Sequence, residues 1–358
     1  MLRVGLIGCG YIAQKHISTI AKVKNLKLIS LSDLDTKRMD EMEKFHQQES
    51  LQSNSLSKFK DYEEMLGDSS IDVVIIAVIS SLHARMVKEA LQAGKHVVVE
   101  KPLALSIKDA EEIVKLADVH NKRVLVCHQM RYRPLISKVK ELIDNGKLGA
   151  PYLGVASLRL NRSIDYYKSA SWRGKWSTDG GMLINQGIHL VDLLIWFLGD
   201  INSVYGDLGH YLPVKETEDT AAAVFTFKNQ AKGIIEANTV TQPNNLGFGL
   251  SLFCEHGTIS IEGAGLNQVV RCHVSGHPEM EEILKKLSSD HEDRFYMYQN
   301  FVESVLDDEI ELVADAREAK RALEAIFGIY KSHQMTTPVY FPITQFSTGD
   351  MKKRGSDG

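Results

Sequence analysis

The sequence predicts an α/β protein in two parts. An N-terminal doubly wound parallel sheet is followed by an α+β part built on a large open, mostly antiparallel sheet. Three observations carry that expectation. Up to about residue 145, short apolar runs alternate with helical stretches. One run, Ile71-Asp72-Val73-Val74-Ile75-Ile76-Ala77-Val78, is β-branched with no polar alternation, as a parallel strand covered on both faces reads. After Gly149-Ala150-Pro151 the helices thin out and longer strands follow in near-direct succession.

Taken in order, strands are expected at 3–7, 26–32, 71–78, 95–99 and 123–127, with helices at 12–22, 35–46, 82–93 and 106–120 between them. Strand, helix, strand, repeated, is the doubly wound pattern. Strands at 152–160, 201–209, 219–227, 233–241, 247–254 and 257–261 form the second sheet, interrupted by one long helix over 181–198. The open face of such a sheet needs a cover or a partner subunit. The apolar residues within 221–227 and 233–237 therefore point to a homodimer or homotetramer. Helix returns at 289–306 and 315–331. The expected division is a first domain at 1–128, a second at 129–341 and a polar C-terminal tail at 342–358, frayed over 351–358.

Composition narrows the class. A chain of 358 residues suits two domains, and 44% apolar with 25% charged residues is an ordinary globular balance that excludes disorder. The 42 Lys+Arg against 46 Asp+Glu leave a net charge of −4, with no field to draw nucleic acid or an anionic membrane. No apolar run approaches the ~20 residues of a membrane span. The opening Met-Leu-Arg-Val-Gly-Leu-Ile runs straight into a strand, without a basic leader before it. Cys9, Cys127, Cys254 and Cys272 are scattered, which fits reduced thiols and neither a disulfide framework nor a zinc site. The expectation is a cytoplasmic protein with no nucleic-acid, membrane or metal partner.

Gly8-Cys9-Gly10-Tyr11-Ile12-Ala13 closes the first strand and opens the first helix as GxGxxA. Gly8 allows the tight turn, Gly10 lets the backbone approach a pyrophosphate, and Ala13 is small enough for the helix to pack on the strand. Phosphates are favoured at the helix N-terminus by its unpaired N–H groups and dipole. The second strand ends at Asp33, twenty residues after Ala13, where a carboxylate accepts from both adenosine ribose hydroxyls and repels a 2′-phosphate. The cofactor is therefore expected to be NAD rather than NADP, although Lys37 and Arg38 stand nearby. The first domain reads as a Rossmann dinucleotide-binding domain.

The strand ending Val97-Val98-Val99-Glu100-Lys101-Pro102 places Lys101 at the carboxyl edge where ligands bind in open α/β sheets. A lysine after a strand is as a rule simply solvated; here Pro102 rigidifies the turn. His83, just past the Ile71–Val78 run, lies on the same edge, with a helix-terminal surface histidine as the alternative. In the second part, Asn185, His189 and Asp192 stand at i, i+4 and i+7 of the helix expected over 181–198 and so share a face. A neutral His189 can take a proton from a substrate hydroxyl, with Asp192 or Asn185 orienting it. The plainer alternative is a satisfied packing histidine.

This combination resembles the Gfo/Idh/MocA oxidoreductases, over about residues 1–340. The resemblance rests on Gly8-Cys9-Gly10-Tyr11-Ile12-Ala13, Asp33, the His96–Pro102 strand and the Gly187-Ile188-His189-Leu190-Val191-Asp192 helix. It implies NAD(P)-dependent hydride transfer on a sugar or cyclitol, with Lys101 and His189 at the reacting hydroxyl. It also places Gly8, Gly10, Tyr11, Ile12, Asp33, Ser80, His83, Glu100, Lys101 and Gln129 at the cofactor. Ser80-Ser81 stands where the family commonly has Thr-Pro before His83, a departure that touches the nicotinamide contacts.

Residues 162–196 are further similar to UDP-N-acetylglucosaminuronate (UDP-GlcNAcA) 3-dehydrogenases, through Tyr166-Tyr167, Trp172-Arg173-Gly174, Asn185-Gln186 and Glu218-Asp219-Thr220. Many inositol and glucose members have Asp where this chain has Asn185. An amide is no base, so proton abstraction falls to His189, with Lys101 lowering the hydroxyl's pKa. Tyr166, Tyr167, Trp172 and Trp176 offer flat faces for a sugar or base. Arg159, Arg162 and Arg173 offer forked donors for a carboxylate or diphosphate, and Arg131 could reach the same substrate. Core packing for the tryptophans and surface ion pairs for the arginines are the alternatives. The expected catalytic set is Lys101, His189 and Asn185, and the expected substrate set adds Arg131, Arg162, Tyr166, Tyr167, Trp172 and Arg173. An inositol or simple-sugar dehydrogenase, or a dinucleotide-sensing regulator without turnover, are the rival readings.

Overall fold

A computed structural model describes residues 1–50 and 55–354. The chain forms two compact units: Met1–Ala104 with Asp109–Gln129 and Arg294–Ala319, and Leu105–Lys108 with Met130–Asp293 and Lys320–Gly358. The expected single break at 128 is thus replaced by an exchange of segments. Residues 294–319 group with the N-terminal unit, where the Val126 N–H donates to Ala314 O at 3.0 Å.

In the first unit, β1 (Leu2–Ile7), β2 (Leu26–Ser32), β3 (Ser57–Phe59), β4 (Val73–Ile76), β5 (His96–Val99) and β6 (Val124–Val126) make one sheet in the order β3-β2-β1-β4-β5-β6. Every pairing is parallel. Helices Tyr11–Lys22, Thr36–Glu49, Tyr62–Gly67 and Ser80–Gln92 follow the first four strands. β4 and β6 are buried along their whole length, which is why they carry no polar alternation. β3 and the helix after it are absent from the sequence reading, because Ser57-Lys58-Phe59 is a short, largely exposed edge without an apolar pattern.

In the second unit, β7 (Pro151–Arg159), β8 (Ile201–Gly209), β9 (Thr220–Phe227), β10 (Lys232–Asn238), β11 (Gly247–Cys254), β12 (Gly257–Gly263), β13 (Gln268–Val274) and β14 (Val339–Tyr340) make a sheet in the order β13-β12-β11-β7-β10-β9-β8-β14. Its pairings are antiparallel except for the central β7–β10 pair. The helix Ile188–Leu198 covers one face. Gly154 and Gly233 lie side by side in register beneath it, and a Cβ at Gly154 would come within 2.7 Å of Leu194 and 2.8 Å of Leu198. Two missing side chains therefore let the helix sit close on the sheet. On the opposite face Tyr205, Val224 and Ile234 align across three strands and are 48%, 50% and 37% exposed.

Two further expectations change. The helix expected over 181–198 is divided: Leu183–Gly187 is a π-helical turn, and the α-helix proper is Ile188–Leu198. The expected polar tail is packed over its first part, since Ile343, Phe346 and Thr348 are buried. Backbone bonds from Ile107 N to Phe346 O and from Thr348 N to Leu105 O, both 3.0 Å, hold it there. Residues 355–358 of that expectation lie outside the described residues. Among the described residues, no helix is long and apolar enough to cross a membrane.

Candidate active site

In the first unit the expected cofactor residues all follow strand ends: Gly8, Gly10, Tyr11 and Ile12 after β1, Asp33 after β2, Ser80 and His83 after β4, Glu100 and Lys101 after β5, and Gln129 after β6. Because the strands are parallel, these ends share one edge, and the strand order reverses between β1 and β4. Gly8 has φ +93°, and a Cβ there would collide with the Ala77 carbonyl. Gly10 caps the helix Tyr11–Lys22 without a side-chain bond, and a Cβ on it would meet open space. The first-turn N–H groups are thus presented beside a bare backbone, as a pyrophosphate requires. The Asp33 carboxylate is aimed by the Cys9 N–H onto Oδ2 (2.8 Å) and the Asp35 N–H onto Oδ1 (2.9 Å). Each oxygen keeps acceptor capacity for a ribose hydroxyl. These residues fit NAD.

Glu100 and His83 serve the same edge by a different route. The Glu100 carboxylate accepts from Arg294 Nη2 at 3.1 Å, and His16 Nε2 lies 3.3 Å from the same oxygen. Burial alone would raise its pKa, but the His16 contact and the cations Arg294 and Lys101 outweigh burial and hold it well below the carboxylate range. His16 is itself pushed down by burial, so a neutral ring with Tyr298 Oη 2.6 Å from Nδ1 fits both observations, and Arg294 supplies the charge. Cys127 completes a buried His16–Glu100–Cys127 group whose ligand-type atoms lie within 4.8 Å of one another. Arg294 places a fixed positive charge there. His83 is buried, with Nδ1 2.6 Å from Pro102 O and Nε2 3.1 Å from Val78 O. Both ring nitrogens of His83, expected at the cofactor, face backbone carbonyls, and the ring braces the turn that follows Lys101.

In the second unit, His189 lies in the first turn of the helix Ile188–Leu198, directly after the π turn that carries Asn185 and Gln186. The Asn185 amide donates to Asp179, whose other oxygen accepts from the Gly174 N–H at 2.7 Å. Gln186 Nε2 donates to Tyr166 Oη at 3.1 Å, and Arg173 Nη1 donates to the same oxygen at 2.6 Å. The Arg173 guanidinium stands 4.3 Å from the Tyr166 ring centre and 4.6 Å from that of Trp172, while Arg162 stands 5.2 Å from Tyr166. Arg162, Tyr166, Trp172, Arg173, Asn185 and Gln186 therefore form one cluster, and all are half-buried.

Other expected substrate residues are engaged elsewhere. Arg131 is 1% exposed and bound through two nitrogens to Asp192, at 2.8 and 2.7 Å. That pair commits the guanidinium of Arg131, expected at the substrate, to a buried carboxylate, and it gives Asp192 a partner besides any contact with His189. Tyr167 is buried edge-on beneath Tyr166, with the Lys215 ammonium 4.9 Å from its ring centre. Trp176 packs edge-on against Tyr330 at 5.3 Å. Arg159 is on the surface, paired with Glu236 at 2.7 Å. Asp179 and the Arg294–His16 support of Glu100 were missed by sequence reasoning. Their partners stand far along the chain or across a turn, so no spacing signals them.

A Rossmann sheet with a phosphate-ready turn, joined in one chain to an open-sheet unit carrying a helix-borne histidine, defines the class of NAD-dependent oxidoreductases. The chain belongs to the Gfo/Idh/MocA family. The model of the oxidoreductase family with an NAD-binding Rossmann fold matches residues 2–128, and that of the GFO/IDH/MocA C-terminal domain matches 136–260. Over 96% of the chain, and 98% of the other, it is similar to the WlbA dehydrogenase from Bordetella pertussis solved in complex with NADH and UDP-GlcNAcA, with TM-score 0.88 and 30% identity. It is 29% identical to the uncharacterized oxidoreductase YrbE of Bacillus subtilis over 65% of each chain. It is also 26% identical to myo-inositol 2-dehydrogenase of Thermotoga maritima, over 66% of this chain and 68% of that protein.

Proposed function

We propose that the chain oxidises a ring hydroxyl, at C3, of a sugar nucleotide of the UDP-N-acetylglucosaminuronic acid type, in the cytoplasm, for the synthesis of surface-polysaccharide sugars. The observation that carries this reading is the likeness to WlbA over nearly the whole length of both chains. The Arg162–Tyr166–Arg173 cluster supports it, since forked cations on aromatic faces suit a carboxylate or diphosphate beside a flat base. Bound NAD supplies the hydride acceptor. His189 takes the hydroxyl proton, and Lys101 polarises that oxygen and favours its alkoxide. Asp179 fixes the Asn185 amide, which binds a neighbouring hydroxyl. The likeness to an inositol dehydrogenase favours a cyclitol or simple sugar as the second reading. The aligned apolar residues Tyr205, Val224 and Ile234 support a homo-oligomer in which a second copy covers the open sheet face.

The test is thermal stabilisation of the purified protein by NAD, NADP, UDP, UDP-GlcNAcA and inositols, with NADH absorbance followed in the same wells. A ligand at ~100 times its dissociation constant adds about 2.7 kcal/mol. Stabilisation by NAD and the UDP-uronate, with NADH appearing, is the expected result. Oxidation of an inositol with no response to UDP replaces the substrate. Lys101→Ala and His189→Ala should each lose on the order of 10²–10⁴-fold in turnover. Near-normal rates with NAD still bound would refute the assigned roles.

A further inference from the structure

We propose that Glu218 is a positioning residue, whose carboxyl, with the Tyr330 hydroxyl, anchors the π-helical turn Leu183–Gly187 and so sets where Asn185, Gln186 and His189 point. The inference rests on the reading above only in taking Asn185 and His189 as substrate-facing.

The chain enters this turn through Gly180 and Gly181, both left-handed with φ +87° and +107°. The Leu183 N–H, in the first turn and without an intrahelical partner of its own, donates to Glu218 Oε1 at 2.9 Å. Tyr330 Oη lies 2.7 Å from the same oxygen and 3.2 Å from Gly180 O, so one hydroxyl ties the carboxyl to the entry backbone. Gly181 makes the arrangement possible. A Cβ there would stand 2.6 and 2.9 Å from the two carboxyl oxygens and would collide with the Tyr330 hydroxyl.

The arrangement is costly in stability terms. Glu218 is buried, and its Oε2 has no hydrogen-bond partner among the described residues. Lys215, the nearest cation from the preceding loop, lies 2.8 Å from Asp219 and also donates to the Glu218 backbone carbonyl. A buried acid with one oxygen unsatisfied is a poor way to fill a core. As an anchor for one backbone N–H at the head of a π turn, it has a use. A π turn adds about one residue to the helical turn and is marginal on its own. Released from Leu183, the segment can relax towards the α register, which swings Asn185 off Asp179 and Gln186 off Tyr166. The backbone on the other side is braced by the same loop, where the Glu216 N–H donates to Gly174 O at 2.7 Å.

The experiment compares full-length Glu218→Ala, Glu218→Gln and Tyr330→Phe with the parent enzyme in NAD-dependent oxidation of UDP-GlcNAcA, or of whichever sugar the parent oxidises. Misplacement of a reacting group by an ångström is worth about 10²-fold. Glu218→Ala should lose kcat on that scale with the KM for NAD unchanged. Glu218→Gln keeps the acceptor oxygen and should recover most of the loss. Tyr330→Phe should fall between them, and it carries the test if the alanine variant does not fold. A Glu218→Gln variant as impaired as Glu218→Ala, or a Tyr330→Phe variant with parental kcat, overturns the proposal. So does a crystal structure of Glu218→Ala with the π turn intact and Asn185 still on Asp179, a result that stands whatever the substrate proves to be.

Discussion

Arg131 and Asp192 show how charged residues conspicuous in sequence can be committed to each other in the interior. Both are 1% exposed, joined by two hydrogen bonds, and the guanidinium stands 5.0 Å from the Trp196 ring centre. Removing one partner takes the other charge out of its buried two-bond ion pair, so Asp192→Ala should lose about 3–5 kcal/mol in urea unfolding, while Arg131→Met with Asp192→Leu should recover much of it. An Asp192→Ala protein of parental stability would show that the pair is not buried in solution. Glu218 gives a pH-dependent prediction. Burial raises its carboxyl to about 7 from an ordinary 4.5. Between those values the folded chain holds a proton that the unfolded chain has released, so stability falls as pH rises through the window, by on the order of 3 kcal/mol in all. Glu218→Gln removes that dependence. Its stability relative to the parent should rise from pH 5 to pH 8, and parallel curves for the two proteins would sink the assignment.

At the scale of elements, the strand–turn–helix Leu2–Lys22 was legible because everything it needs is local. The glycines, the small Ala13 and the uncapped helix start lie within six residues. Gly8→Ala should therefore fail twice. It places a Cβ at φ +93° against the Ala77 carbonyl, which costs roughly 1–3 kcal/mol, and it abolishes the thermal shift with NAD. A variant that still gains stability from NAD would show the turn to be more tolerant than its backbone allows. The helix over 181–198 was only half legible. Its apolar pattern announces a helix, but a π turn leaves that pattern almost unchanged while shifting the phase of Asn185 against His189. The glycine pair Gly154 and Gly233 gave no warning of a close helix approach, since the two stand 79 positions apart in sequence and meet only through the parallel β7–β10 pairing.

For the whole molecule, the open sheet face carries the expectation of a homo-oligomer. Val224→Asp and Ile234→Lys, at paired positions on β9 and β10, should shift the protein to a smaller species in sedimentation velocity with little change in unfolding. An unchanged sedimentation coefficient would place the interface elsewhere. Segment exchange between the two units is also a property of the whole chain. Residues 294–319 read as a helix and a connection of the second domain, and only pairing such as Val126 with Ala314 returns them to the first.

The sequence by itself determined the two-part α/β architecture, the dinucleotide turn with Asp33, and the strand-end position of Lys101. Each depends on residue types at short spacing, where backbone sterics and the periods of strand and helix act directly. The tertiary structure alone decided which polar side chains cluster together half-buried and which are taken up by partners within the protein. Tyr166, Arg173 and Gln186 gather in one cluster, while Arg131, His83, Tyr167 and Trp176 are taken up by Asp192, backbone carbonyls, Lys215 and Tyr330. The physical reason is that a polar group removed from water must find its partner wherever the fold brings one, and several of those partners stand far along the chain, Arg131 and Asp192 being 61 positions apart.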